Sequence, residues 1–117
     1  MKILIVDDEP SIRKLLIMML QDDFEVKAVD SVESALNELR SQHWDLLITD
    51  YKMPGKSGVD LVNTLVDEQS HIPVIVITGQ GSRDSIVETV QGRVAQVLAK
   101  PFDIVQLHSV IHSVVSA

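Results

Sequence analysis

Cysteine is absent from the 117 residues, which excludes a disulfide framework and thiolate metal sites. Aromatic side chains are almost as scarce: Phe24, Trp44, Tyr51 and Phe102 are the whole set, so the core must be built from Val, Ile, Leu and Met. Basic residues are outnumbered, ten Lys and Arg against seventeen Asp and Glu, for a net charge of −7. That balance argues against a direct grip on nucleic acid through phosphate contacts. No apolar run approaches the length needed to cross a bilayer, so no membrane association is expected. The apolar stretch after Lys2 is too short for a signal peptide and runs straight into acids, which makes the cytoplasm the expected location. The remainder, 45% apolar and 23% charged, is the profile of a globular protein, and the length suits one domain over residues 1–117.

Five short apolar runs punctuate the chain: Ile3–Val6, Phe24–Val29, Asp45–Thr49, Pro73–Ile77 and Val94–Ala99. Three of them (ILIV, LLIT, VIVI) are nearly continuous and rich in β-branched residues, as strands buried on both faces of a parallel sheet are. Helical spacing fills the gaps. Ile12, Leu15, Leu16, Met19 and Leu20 share one face behind Pro10, which suits a first helical turn. Val32, Ala35, Leu36 and Leu39 repeat the pattern, with Asp30 and Glu33 as a capping box. A third helix is expected from Gly58 to Gln69 through Leu61, Val62, Leu65 and Val66, and a fourth carries Ile86, Val87 and Val90 and stops near Gly92. The fifth contains Ile104, Leu107, Ile111, Val114 and Val115. Strand followed by helix, five times over, implies right-handed βαβ crossovers and helices on both faces of a parallel sheet.

Ligands of such sheets bind beyond the carboxyl ends of the strands. The first run is followed there by Asp7 and Asp8, the third by Asp50, the fourth by Thr78 and the fifth by Lys100. In the doubly wound order 2-1-3-4-5, strands one and three are neighbours about 4.8 Å apart, which would cluster the three aspartates. Three carboxylates so close cannot all stay ionised unless a cation joins them, and an all-oxygen set suits Mg²⁺ rather than zinc. A long lysine could span the roughly 10 Å from strand five to strand three. Carboxylates, a cation, a lysine and a hydroxyl converging on one point make a site for a phosphoryl group. Taken singly, an acid after a strand is a cap or a solvated loop residue in about nine cases of ten. Four such positions at one edge of one sheet are not explained that way. Gly79-Gln80-Gly81 is too short for a dinucleotide fingerprint and reads as a turn.

With Asp7-Asp8, the stretch DYKMPGKSG from Asp50 to Gly58, Thr78-Gly79 and Lys100-Pro101-Phe102, the chain closely resembles a response-regulator receiver domain along essentially its whole length. The resemblance implies a flavodoxin-like (βα)5 sandwich and a phosphorylation-dependent signalling switch. Asp50 would be the phosphoacceptor. Asp8 and Asp50 would bind Mg²⁺ (or Mn²⁺) directly, Asp7 through water, and the backbone carbonyl of Lys52 would complete the protein's share. Lys100 would contact the phosphoryl oxygens and Thr78 would hydrogen-bond one of them. Met53, Pro54 and Gly58 would shape the loop after the acceptor, and the Lys100–Pro101 bond would be cis. Lys52 and Gln80 stand where the family tunes the lifetime of the phosphoryl group. Implied partners are a sensor histidine kinase or histidine phosphotransfer protein as donor, and a downstream target or output domain on the face of the fourth helix, fifth strand and fifth helix, with homodimerisation on phosphorylation. Activity of its own would extend only to self-phosphotransfer and autodephosphorylation.

One position departs from the pattern. Family members commonly carry Tyr or Phe three residues before the lysine, where this chain has Val97 (Gln96 if the alignment starts from Gly92). That departure is what a degenerate receiver serving only as a docking platform would have in its favour. A phosphatase of the haloacid-dehalogenase type also combines aspartate, Mg²⁺, threonine and lysine, but needs D-x-D after its first strand and a cap domain; here the strand ends D-D-E. Of the histidines, His108 and His112 sit at i, i+4, a metal-binding spacing that lacks a third ligand and reads as a solvated face. His43 is expected to be structural and His71 a loop residue.

Overall fold

A computed structural model describes residues 1–53, 55, 57–79 and 94–115. Its strands are β1 (Lys2–Val6), β2 (Glu25–Val29), β3 (Leu46–Asp50), β4 (Val74–Thr78) and β5 (Gln96–Ala99). They form one parallel sheet in the order β2-β1-β3-β4-β5, the expected topology. The described helices are α1 (Pro10–Leu20), α2 (Val32–Ser41), α3 (Gly58–Asp67) and α4 (Ile104–Val115); α4 is the fifth helix of the sequence pattern. The segment with Ile86, Val87, Val90 and Gly92, expected as the fourth helix, lies outside the described residues.

The unbroken apolar runs follow from helices covering both faces of the sheet. Successive strand residues point to opposite sides, so Ile3, Ile5, Leu46, Ile48, Ile75, Ile77 and Leu98 pack with Leu16 and Leu20 of α1 and Leu107 and Ile111 of α4. Leu4, Val6, Leu47, Val74, Val76 and Val97 pack with α2 and α3 through Ala35, Leu36, Leu61, Val62 and Leu65. Each fully buried Leu or Ile contributes about 1.5–3 kcal/mol of transfer free energy. β1, β3 and β4 supply most of these residues and so form the buried centre. β2 is an edge strand whose Glu25 and Lys27 are exposed, and Lys27 ion-pairs with Glu38 of α2.

Element ends differ from the sequence pattern in instructive ways. Phe24, placed in the second strand, instead closes α1: its N–H donates to the Leu20 carbonyl (3.0 Å), and the ring packs on the α1/α4 side. Asp50 and Thr78 are the last residues of β3 and β4 rather than the first beyond them. The cap of α2 is Ser31, whose hydroxyl accepts from the Ser34 N–H (3.1 Å), one residue later than the Asp30 box. Glu9 is the N-cap position of α1, with Pro10 opening the helix. Helix α3 begins on a full capping box, Ser57 with Asp60. It ends where Gln69 takes a left-handed φ of 59° and Ser70 N–H returns to the Leu65 carbonyl (2.9 Å). The buried stripes are narrower than the apolar spacing: Leu15, Val66, Ile104 and Val115 are exposed, because the sheet covers only the side of each helix that faces it.

Candidate functional site

The sheet register sets the site. Val6 pairs with Thr49, so the next residues along, Asp7 and Asp50, emerge side by side at the carboxyl edge. Asp50 in turn pairs with Ile77, and Thr78 with Ala99, which brings Lys100 alongside. Oxygen atoms of Asp7, Asp8 and Asp50 lie within 4.8 Å of one another. Lys100 Nζ reaches to 3.7 Å from Asp50 Oδ1, crossing the width of β4 as its length allows. The cavity they border, about 360 Å³, is lined by Asp8, Glu9, Asp50, Tyr51, Lys52, Thr78, Gly79 and Lys100.

The backbone around the acids is held from several directions. Asp7 N–H donates to the Val29 carbonyl (3.1 Å), and Asp7 Oδ1 accepts from the Glu9 N–H (2.9 Å). Tyr51 N–H donates to the Ile77 carbonyl (2.8 Å), Gly58 N–H to the Tyr51 carbonyl (2.9 Å), and Lys100 N–H to the Thr78 carbonyl (2.7 Å). Gly58 is required by space: a Cβ there would stand 2.4 Å from the Asp50 carbonyl oxygen. The Lys100–Pro101 peptide is cis.

Burial is the dominant electrostatic fact. It pushes the Asp7 carboxyl above the ordinary aspartate value, against the Glu9 N–H and the Lys100 charge, which pull it down. The same desolvation raises Asp50, with Lys100 opposing and the Asp7 and Asp8 charges adding to the rise. Two side-chain oxygens are buried without a hydrogen-bond partner among the described residues, Asp7 Oδ2 and Thr78 Oγ1. Orphaned buried oxygens are costly and rare, and these two border the acid cluster. A hard divalent cation with oxygen ligands and retained waters fits the carboxylate set, and a further oxyanion fits the Thr78 hydroxyl and the Lys100 ammonium.

Other expected positions are placed as follows. Lys52 is exposed at the cavity; Met53 is half-buried against the α2/α3 core; Gly58 is the first residue of α3. Pro54 and Gln80 lie outside the described residues. Val97 is buried on the α2/α3 side and pairs with Val76. His108 is not the solvated residue its spacing implied: its Nε2 lies 2.8 Å from the Met19 carbonyl, and its ring packs beside Phe24. Two contributors went unread in the sequence. Glu9 lines the cavity, and Arg13 Nη1 donates to the Asp7 carbonyl (2.7 Å). Neither carries a periodic signal, since a contact six residues back through a loop belongs to no regular spacing.

Fold and site together define a class: doubly wound α/β domains with an acidic cation pocket at the carboxyl edge of the sheet. The chain belongs to the response regulator receiver domain family, whose sequence profile matches residues 3–112. It is 41% identical to the chemotaxis protein CheY of Pseudomonas aeruginosa over 106 residues, covering 87% of this chain and 86% of that one. It is 40% identical to the transcriptional regulatory protein FixJ of Rhizobium meliloti over 100 residues, 85% of this chain but 49% of that protein. A solved response regulator receiver domain protein from Clostridium thermocellum superposes with a TM-score of 0.89 at 30% identity, over 98% of this chain and 94% of that one. Proteins of this family are signalling components of two-component systems that bind Mg²⁺ in an acidic pocket, and here the acidic cluster is Asp7, Asp8 and Asp50. Among the described residues no helix is long and apolar enough to cross a membrane.

Proposed function

We propose that residues 1–117 act as one receiver unit, a switch in which Asp50 accepts a phosphoryl group from a phosphohistidine on a kinase or phosphotransfer protein. The observation that carries this reading is Lys100 Nζ at 3.7 Å from a buried Asp50, in a cavity shared with a Thr78 hydroxyl that has no partner among the described residues. A carboxylate oxygen of Asp50 attacks phosphorus as the N–P bond of the donor breaks, giving an acyl phosphate. Asp8 and Asp50, with Asp7 and the Lys52 carbonyl, would hold Mg²⁺, which when bound neutralises charge on the carboxylate and the phosphoryl oxygens. Lys100 then pairs with one phosphoryl oxygen and Thr78 donates to another. Movement of Thr78 is carried into β5 through its carbonyl, which accepts from Lys100 N–H. With Val97 in place of an aromatic ring, that backbone link is the route for read-out. The target would meet the face containing β5 and α4, as partner protein, output domain or second copy, in the cytoplasm.

Intact mass after incubation with acetyl phosphate, with and without Mg²⁺, tests this. One added phosphoryl group that disappears in Asp50→Ala and without Mg²⁺ supports the switch. No adduct in the wild-type chain, with rapid hydrolysis excluded, refutes it and leaves a docking platform.

A further inference from the structure

Asp7 is held at three of its atoms, and the third hold comes from outside the loop. Its N–H is bonded to the Val29 carbonyl and its Oδ1 to the Glu9 N–H. Its carbonyl oxygen accepts from Arg13 Nη1 at 2.7 Å, from the fourth residue of α1. That carbonyl and the Asp8 N–H belong to a single peptide plane, which is rigid. Whatever fixes the Asp7 carbonyl therefore fixes the rotation of the peptide that leads into Asp8. The remaining carboxylate oxygen, Asp7 Oδ2, is buried within the acid cluster with no hydrogen-bond partner among the described residues.

We propose that Arg13 is a positioning residue for divalent-cation binding: by clamping the Asp7–Asp8 peptide it sets the angle at which Asp7 and Asp8 present their carboxylates. The inference rests on the cation site proposed above. The contact Arg13 makes is with the Asp7 main-chain carbonyl and not with a carboxylate of the cluster, so its action on the site runs through Asp7. Two physical effects of its removal have opposite signs. As a charge, the guanidinium repels a dication, so its loss would tighten Mg²⁺ binding. As a clamp, it preorganises ligands, and losing such an outer partner typically weakens metal affinity by about 10–100-fold. The guanidinium donates to the Asp7 carbonyl, and the Glu9 carboxylate that lines the cavity carries the opposite charge. Geometry is the larger effect.

Isothermal titration of Mg²⁺ into the wild-type chain, Arg13→Met and Arg13→Lys decides the sign. We expect the Mg²⁺ dissociation constant to rise at least about tenfold in Arg13→Met. Arg13→Lys should recover part of the loss, since an ammonium can still donate to the Asp7 carbonyl but lacks the planar fork. Urea unfolding in EDTA, run on the same samples, separates site geometry from loss of fold: the unfolding slope should be unchanged. An unchanged or tighter Mg²⁺ affinity in a folded Arg13→Met chain overturns the clamp while leaving the cation site standing. A wild-type chain that takes up no Mg²⁺ overturns the site itself, and the clamp with it.

Discussion

Replacing Gly58 by alanine asks whether the loop after Asp50 has room for one methyl group. The added Cβ would lie 2.4 Å from the Asp50 carbonyl oxygen and 3.3 Å from both the Asp50 carbonyl carbon and Tyr51 Cα. All three are backbone atoms and cannot swing aside. Reaching an ordinary carbon–oxygen contact means moving β3 and α3 apart by about 1 Å, an overpacking that typically costs about 1–3 kcal/mol. Alanine gains at most about 1 kcal/mol from helix propensity, and less at a first helical position. The net expectation is a loss of about 1–2 kcal/mol, or roughly 4–8 °C in melting temperature for a chain of this size. Because the displaced atom belongs to Asp50 itself, acetyl phosphate labelling should also slow by about tenfold or more. Gly79→Ala is the control for stability, since a Cβ there meets nothing within 4 Å and should shift stability by less than about 0.5 kcal/mol. The assay is thermal unfolding followed by circular dichroism without Mg²⁺, paired with intact-mass labelling rates. A Gly58→Ala chain that melts at or above the wild-type temperature and labels normally refutes the steric argument.

The acid cluster predicts an unusual pH dependence. Burial raises the folded-state pKa of Asp7 and Asp50, so the native chain binds more protons than the unfolded one just above the ordinary aspartate value of about 4. Metal-free stability should therefore fall as pH rises through that window, and Asp7→Asn should melt higher than wild type at pH 7, with the gap closing towards pH 4. Added Mg²⁺ should reverse the ranking by stabilising the wild-type chain through mass action; a variant that melts lower at pH 7 without metal contradicts the account. Lys52→Ala removes a cation at the cavity mouth that would cover the phosphoryl group against water, and should shorten the aspartyl-phosphate half-life severalfold. An unchanged half-life by radiolabel decay would remove Lys52 from the reading.

Much of this architecture could be read in the residues because period and chemistry agreed. Continuous ILIV and VIVI runs report burial on both faces, and Asp7, Asp50, Thr78 and Lys100 stand at strand ends, where a parallel sheet collects them. Boundaries were harder. Asp30 and Ser31 both make good caps, and only the path of the chain selects the serine. Phe24 is apolar enough for a strand, yet its hydrogen bond and packing belong to the end of α1. The contacts of Arg13 and His108 to main-chain carbonyls were invisible for a different reason. They join residues across a loop or between helices far apart in sequence, and no local pattern encodes a carbonyl as a partner.

The charged edge at β2 has a consequence for how the protein meets others. A parallel sheet ends in unpaired backbone groups, an open template onto which a stray strand can add itself regardless of sequence. At β2 an incoming strand would run against exposed Glu25 and Lys27 and would have to disturb the Lys27 pairing with Glu38. Polymerisation from that side is thereby discouraged. On that side, association is left to surfaces made of side chains, which a chemical signal can alter, and the main-chain ladder that stays open for pairing is the one at β5, the sheet's other edge.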